Sequence, residues 1–559
     1  MTQKPVSFLR GLSVFLTCVL FLSILPPSAD AAFSSRVIRV GLFYGSNALP
    51  AANLANEVGS GYQFGTYDSN GVFTAVGETA YEKITVCKDA NLYLSGGSFY
   101  ETPTAAAYTL VGAYHLQAAG SFGSYADALQ AASAFPYGFP AYVNGQYVVR
   151  FEFYSSAANA AADAAGYPGA TVVGGSASCY TVVDSAAGRI LFEFDNGEGA
   201  YLAVQPAGAG GQLAQTWFKG YQYYGGFQYL RRSGNDLTVV NFVPEDLYVA
   251  GVLPYEFVAS GSLESLKAGA VAVRTFARRA SKHRSLGFDI CNTTDCQVYR
   301  GVYTGAGAQT VLRAVEETAG ECAYYQGALI EALYFSSDGG RTEDAVNAWG
   351  TDYPYLKGKE DPYEASISFN GKSWSYQVTP EALQAQLQRM GRSCGTVTGF
   401  AVTATTAGGN VNEVTVTDSS GQKFVFQRDD VRFLQNLPGV TYMSRRFTIQ
   451  PNGGGAASGG AYSVYDGKTT VTTDSLTAVT ASGTGPVTGT VTVVSADGKG
   501  TVSASTSAAP SASGSGWTIS GGGYGHNIGM SQWGAYAMGA QGFGYREILQ
   551  FYYTGITLQ

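Results

Sequence analysis

The chain has 559 residues, too many for one ordinary domain and enough for two to four. Charged residues make up only 13%, about half the ~25% of an average globular chain, and 73 Gly and 39 Tyr help fill the gap, which suits many strands and turns. Lys+Arg 33 against Asp+Glu 41 gives a net charge of −8, and with no basic block in the chain nucleic acid is not an expected partner.

The first 31 residues read as a secretory signal. Lys4 and Arg10 precede the apolar run "GLSVFLTCVLFLSIL", which is shorter than the ~20 residues of a spanning helix. Ala29-Asp30-Ala31 then offers a cleavage pattern; the alternative is an uncleaved N-terminal anchor. Either way the remainder is expected to be exported from the cytoplasm. Six cysteines follow the signal (87, 179, 291, 296, 322 and 394), and in an exported chain these could pair.

Strands are expected at 36–45 and 81–95, within a β-rich region over 36–105. Residues 113–166 parse as strand, helix, strand, helix, with Ser124 as an N-cap and Asn144-Gly145 as a turn. The strings "YHLQAAGSF" and "YVVRFEFYSS", each followed by an Ala-rich helix, resemble a SPOR domain over 107–166. That resemblance implies binding to bare peptidoglycan glycan chains. "RILFEFDNGEGAYLAVQ" reads as a hairpin around Asn196-Gly197, within a main domain expected over 170–452 and resumed at 517–559. Between its two parts, 453–516 is rich in Gly, Ser and Thr and reads as a flexible insertion with one hairpin, around "TGTVTVVSADG".

Three stretches carry chemistry. In "VLPYEF" a single carboxylate, Glu256, sits among apolar residues. Pro254 suits the first turn of a short helix, where Glu256 would favour the dipole; alternatively its neighbours keep it protonated, as an acid would need. A helix follows over 262–280, on which Lys267 and Arg274, two turns apart, are placed to hold a ligand from one face. Near the C-terminus, five glycines within 521–529 surround His526, followed by Ser531, Gln532 and two closing helices. In "KHRSLGFDICNTTDCQVYRG", His283, Cys291 and Cys296 suit tetrahedral zinc; a Cys291–Cys296 disulfide or a metal-free loop is the other reading.

Together, "PYE" with "LKAGAVAVRTFA", "SSDGGRT" and "GYGHNIGMSQWGA" resemble the SpoIID/LytB family, in this order along the chain. The resemblance implies an α+β, multidomain enzyme: a lytic transglycosylase that cleaves the MurNAc–GlcNAc bond of peptidoglycan and leaves 1,6-anhydro ends. Its catalytic acid falls on Glu256, its substrate contacts on Lys267, Arg274, His526, Ser531 and Gln532. A structural zinc is implied on His283, Cys291 and Cys296, with Asp295 standing where the family has a second histidine. Gly269 also departs, from a Gln. Glycan strands, stripped or not of stem peptides, are the implied substrate. Some relatives are instead modifiers that bind peptidoglycan and stimulate an amidase, which implies a hydrolase partner.

Overall fold

The computed structural model describes residues 36–452 and 516–559, with the backbone of six short strands between them. The signal or anchor expected over residues 1–31 lies outside the described residues. Among those described, no helix is long and apolar enough to cross a membrane. The chain divides into two compact units, 36–260 with 280–319 and 261–279 with 320–559.

The first unit is built on two sheets. One runs Ile290–Cys291, Val37–Phe43, Thr238–Pro244, Gly226–Leu230, Ala203–Pro206, Tyr62–Tyr67, Phe73–Thr79. The other has ten strands and mixes segments from throughout the first 223 residues. Residues 114–174 contribute four of them, in a βαββαβ order: Tyr114–Gln117, helix Tyr125–Ala132, Phe139–Val143, Gln146–Tyr154, helix Ala157–Ala164, Thr171–Gly174. The four strands sit as fourth-first-third-second, the split-βαβ arrangement. Ser124 caps the first helix by accepting the Asp127 N–H, and Asn144-Gly145, with φ of 48° and 81°, closes a two-residue hairpin.

Two expectations differ here. The strand Phe139–Val143, absent from the sequence parse, pairs in parallel with Ile190–Asp195, so the boundaries expected near 105–107 and 166–170 fall inside one continuous sheet. The hairpin at Asn196-Gly197 does not form. Ile190–Asp195 and Ala203–Pro206 lie in different sheets, because the intervening glycines let the chain change layers.

In the second unit the helix Leu263–Arg279 packs against the closing helices Gln532–Ala540 and Tyr545–Tyr552. A three-stranded sheet joins Ser373–Val378, Trp517–Gly522 and Phe447–Pro451 over a core containing Leu383, Phe424, Leu434 and Ile519. Pro451 is the cross-strand partner of Trp517, so the chain leaves this sheet and returns to it at paired residues. A long excursion there costs the sheet little, which is the geometry of a tolerated insertion. Within it, Gly489–Ser495 pairs antiparallel with Gly498–Ala504. All six described cysteines are thiols, so none of the disulfides the export signal allowed is formed.

Candidate functional site

Glu256 is the last residue of a twelve-residue helix, Glu245–Glu256, opened by Glu245 and Asp246 where carboxylates suit the dipole. Nine of the twelve residues are buried, leaving no polar face for a helical period to reveal. Pro254 therefore lies in the final turn, not the first, and Glu256 stands at the negative end of the dipole. The capping role expected from "PYE" is thus not the one it has.

Glu256 is half-buried, and its Oε1 accepts the Val298 N–H at 2.7 Å. The segment 297–301 runs along the same helix. Tyr248 donates its hydroxyl to Gln297 Oε1 at 2.8 Å, and the Arg300 N–H bonds the Gly251 carbonyl at 3.2 Å. A Cβ on Gly251 would come within 2.6 Å of the Tyr299 ring and of the Gly301 carbonyl, so only glycine allows this approach. Three hydrogen bonds and a close contact hold the carboxylate's helix to this segment.

That backbone follows a group of four side chains that could hold a metal ion. Cys291 is fixed on the Ile290–Cys291 strand, paired in parallel with Val40 and Gly41. His283 stacks on buried Phe288 at 5.1 Å between ring centroids. Ligand atoms of His283, Cys291, Asp295 and Cys296 all lie within 4.8 Å of one another. His283 Nε2 is buried 3.4 Å from Asp295 Oδ2, with no hydrogen-bond partner, as an atom awaiting a metal would be. A hydrogen bond from the Cys296 thiol, with help from Thr293 and Tyr44, lowers the Cys291 thiol to about 4 and makes it the readier thiolate. Two sulfurs, one imidazole and one carboxylate are a fitting donor set for tetrahedral zinc.

The remaining expected site residues belong to the second unit. Lys267 pairs with Glu264 at 2.9 Å and lies over the Tyr545 ring. Arg274 is fully buried and donates Nη1 to the Glu321 carbonyl at 3.2 Å. The face expected to reach out to a ligand is thus engaged with the chain itself, because the helix buries eleven of its seventeen residues. His526 Nδ1 accepts the Ile528 N–H at 3.1 Å, and its ring lies 5.3 Å from both Phe335 and Trp349. Burial, with the charge of Arg432, pushes this imidazole down to about 3, so it is neutral near pH 7. The glycines around it also serve packing: a Cβ on Gly529 would meet the Leu333 carbonyl at 2.1 Å. Ser531 is buried, caps the Gln532–Ala540 helix through the Gly534 N–H, and donates to Glu364. Gln532 opens that helix half-buried.

Two neighbours of the carboxylate, Gln297 and Val298, escaped the sequence reading. Val298 and Gln297 act through backbone and amide groups that carry no motif. Tyr255, 40% exposed, meets Tyr303 edge-on at 5.8 Å, while Arg300 lies over the Tyr221 ring at 5.3 Å. Trp533 stacks on Phe369 at 4.5 Å between ring centroids.

Residues 233–325, which include the Glu256 helix, the Lys267/Arg274 helix and the metal cluster, match the family model described as SpoIID: Stage II sporulation protein. The chain is 32% identical over 313 residues to the Amidase enhancer of Bacillus subtilis (strain 168), a match covering 55% of this chain and 40% of that protein. It is 27% identical over 345 residues to an uncharacterized protein of Brachyspira hyodysenteriae, covering 61% and 73%. It is 32% identical over 164 residues to the Stage II sporulation protein D of B. subtilis, covering 27% and 46%. The chain therefore spans under half the length of the two Bacillus proteins.

Proposed function

We propose that this chain is an exported, cell-wall-associated lytic transglycosylase acting on peptidoglycan glycan strands, in wall remodelling linked to sporulation. The observation that carries the reading is the placement of Glu256. It is a half-buried carboxylate at a helix end, its Oε1 fixed by the Val298 N–H on the segment leaving the metal cluster. The SpoIID match over 233–325 and the two named Bacillus relatives support a cell-wall role related to sporulation, within which this activity is our reading.

The reaction needs one acid. Glu256 donates its proton to the glycosidic oxygen as that bond breaks. It then takes the proton of the muramyl 6-hydroxyl as O6 bonds to C1, closing the 1,6-anhydro ring and restoring the acid. A hydrolytic glycosidase needs a second carboxylate for water or covalent attack; the internal hydroxyl removes that need. Zinc held by His283, Cys291, Asp295 and Cys296 would supply a tether for the loop, with no part in bond cleavage. The βαββαβ segment, SPOR-like in sequence, would bring glycan to the wall enzyme; exposed Tyr255, edge-on to half-buried Tyr303, gives sugar rings a surface beside the acid's helix.

A second reading is favoured by the Amidase enhancer match and by the internal engagement of Arg274: a glycan-binding protein that stimulates a hydrolase without cutting. Purified protein incubated with glycan strands, with and without stem peptides, separates the two. Anhydro-muramyl ends in the mass spectrum support cleavage; no such ends, together with faster release of stem peptides when an amidase is added, support the enhancer.

A further inference from the structure

In the second unit, three acidic side chains meet in the interior: Asp338, from the "SSDGGRT" stretch, and Asp361 and Glu364, which belong to no motif. Asp338, Asp361 and Glu364 are 0%, 2% and 2% exposed, and a ligand oxygen from each lies within 4.8 Å of the others. Their outer lone pairs are well served. Glu364 accepts from the Ser337 hydroxyl at 2.7 Å, the Asp338 N–H at 3.0 Å and the Ser531 hydroxyl. Asp361 accepts from the Tyr363 N–H at 2.8 Å and the Tyr552 hydroxyl, and Asp338 Oδ1 from the Gly340 N–H at 2.7 Å.

One atom stands apart. Asp338 Oδ2 is buried and has no hydrogen-bond partner. Among the described residues no Lys, Arg or His forms an ion pair with any of the three; neighbouring Arg341 pairs with Glu360 instead. Buried carboxylates without a counter-charge cost several kcal/mol each, so something must neutralise them. A shared proton or a bound cation would do this; burial and the charges of Glu364 and Asp361 push the Asp338 carboxyl up. In this all-oxygen cluster Asp338 Oδ2 is placed to ligate a cation.

We propose that Asp338, Asp361 and Glu364 form a binding site for a hard divalent cation of the calcium class. Three oxygens within 4.8 Å of one another lie no more than about 2.8 Å from a common point, so a small inward shift brings all of them to the calcium–oxygen distance of ~2.3–2.6 Å. With neither sulfur nor imidazole among the donors, the site selects against zinc, the ion that suits the Cys/His/Asp cluster. A cavity of about 540 Å³ adjoins the cluster at Asp361, with Glu360, Arg341 and Arg446 also in its lining. Bound there, the cation ties the Asp338 loop and the Asp361–Glu364 turn together. Through Ser531 and Tyr552 it also reaches both closing helices.

The test uses the whole purified chain with its thiol site left intact. Calorimetric titration with Ca²⁺ should show one site per chain, accompanied by a rise in Tm. Tb³⁺ should occupy the same site and luminesce on tyrosine excitation, because Tyr552 hydrogen-bonds Asp361. Asp338→Asn should weaken Ca²⁺ binding at least tenfold, and Cys291→Ser should leave it unchanged. Tyr552→Phe keeps all three carboxylates and should keep the calorimetric signal while dimming the luminescence. Should Asp338→Asn fail to fold, Glu364→Gln takes its place with the same expected loss. No uptake at millimolar Ca²⁺, or equal uptake in wild type and carboxylate variants, overturns the proposal. So does a stabilised Asp338→Asn without uptake, which would show that the acids share a proton.

Discussion

Two side chains show how this chain fixes polar groups by backbone. Glu256 is held by the Val298 N–H, and His526 by the Ile528 N–H. For His526 the consequence can be read in pH. Its ring takes up a proton near 6.5 when the chain is unfolded, but only near 3 in the fold, where burial and Arg432 oppose the charge. A lowered pKa means the unfolded state binds more protons over that interval, so stability is whole above about pH 7 and is lost as pH falls from 6.5 toward 3. His526→Gln removes the titrating group. Urea midpoints measured from pH 7 to pH 4 should fall more steeply for wild type than for this variant. Parallel curves would show that the imidazole does not stay neutral in the fold.

The helices were the most legible elements. The expected helix 262–280 is Leu263–Arg279, and the closing pair is Gln532–Ala540 and Tyr545–Tyr552, because apolar spacing, N-caps and glycine stops all act locally. Ser124 shows the same thing at a single cap. The Glu245–Glu256 helix was misread, since a helix buried nearly all round has no period and Pro254 drew the start to the wrong end. The metal quartet was legible as residue types, His283, Cys291, Asp295 and Cys296, which the fold brings together. Its link to Glu256 was not, because Val298 acts through an N–H that every residue but proline carries. From that link comes an expectation. Cys291→Ser, or a chelator, should remove the metal and lower activity on glycan strands, while Glu256→Gln should leave metal content as in wild type. Metal analysis beside the activity assay checks both. Full activity in metal-free protein would mean the loop does not need its ion to hold Glu256.

Long-range pairing explains what sequence reading missed in the molecule as a whole. Residues 107–166 looked separable, yet their strand Phe139–Val143 adds to Ile190–Asp195, and a buried charge network crosses the same line. Glu193 lies 2.7 Å from Arg150 and 3.1 Å from His115, all three buried. Such partners are 43 and 78 residues apart, beyond any local signal. Glu193→Gln leaves Arg150 charged and poorly paired in the interior, and should cost about 3–5 kcal/mol of the first unit's stability, read as a lowered denaturant midpoint. A loss under about 1 kcal/mol would show that the segment docks without this network.

The central claim is that Glu256 cuts glycan. Wild type and Glu256→Gln, matched in melting temperature and metal content, should be compared for anhydro-muramyl ends released per hour from purified glycan strands. A positioned acid is worth roughly 10²–10⁴ in rate, so the variant should fall by at least a hundredfold. Equal release by the two proteins, or none from wild type on any glycan, would contradict the claim.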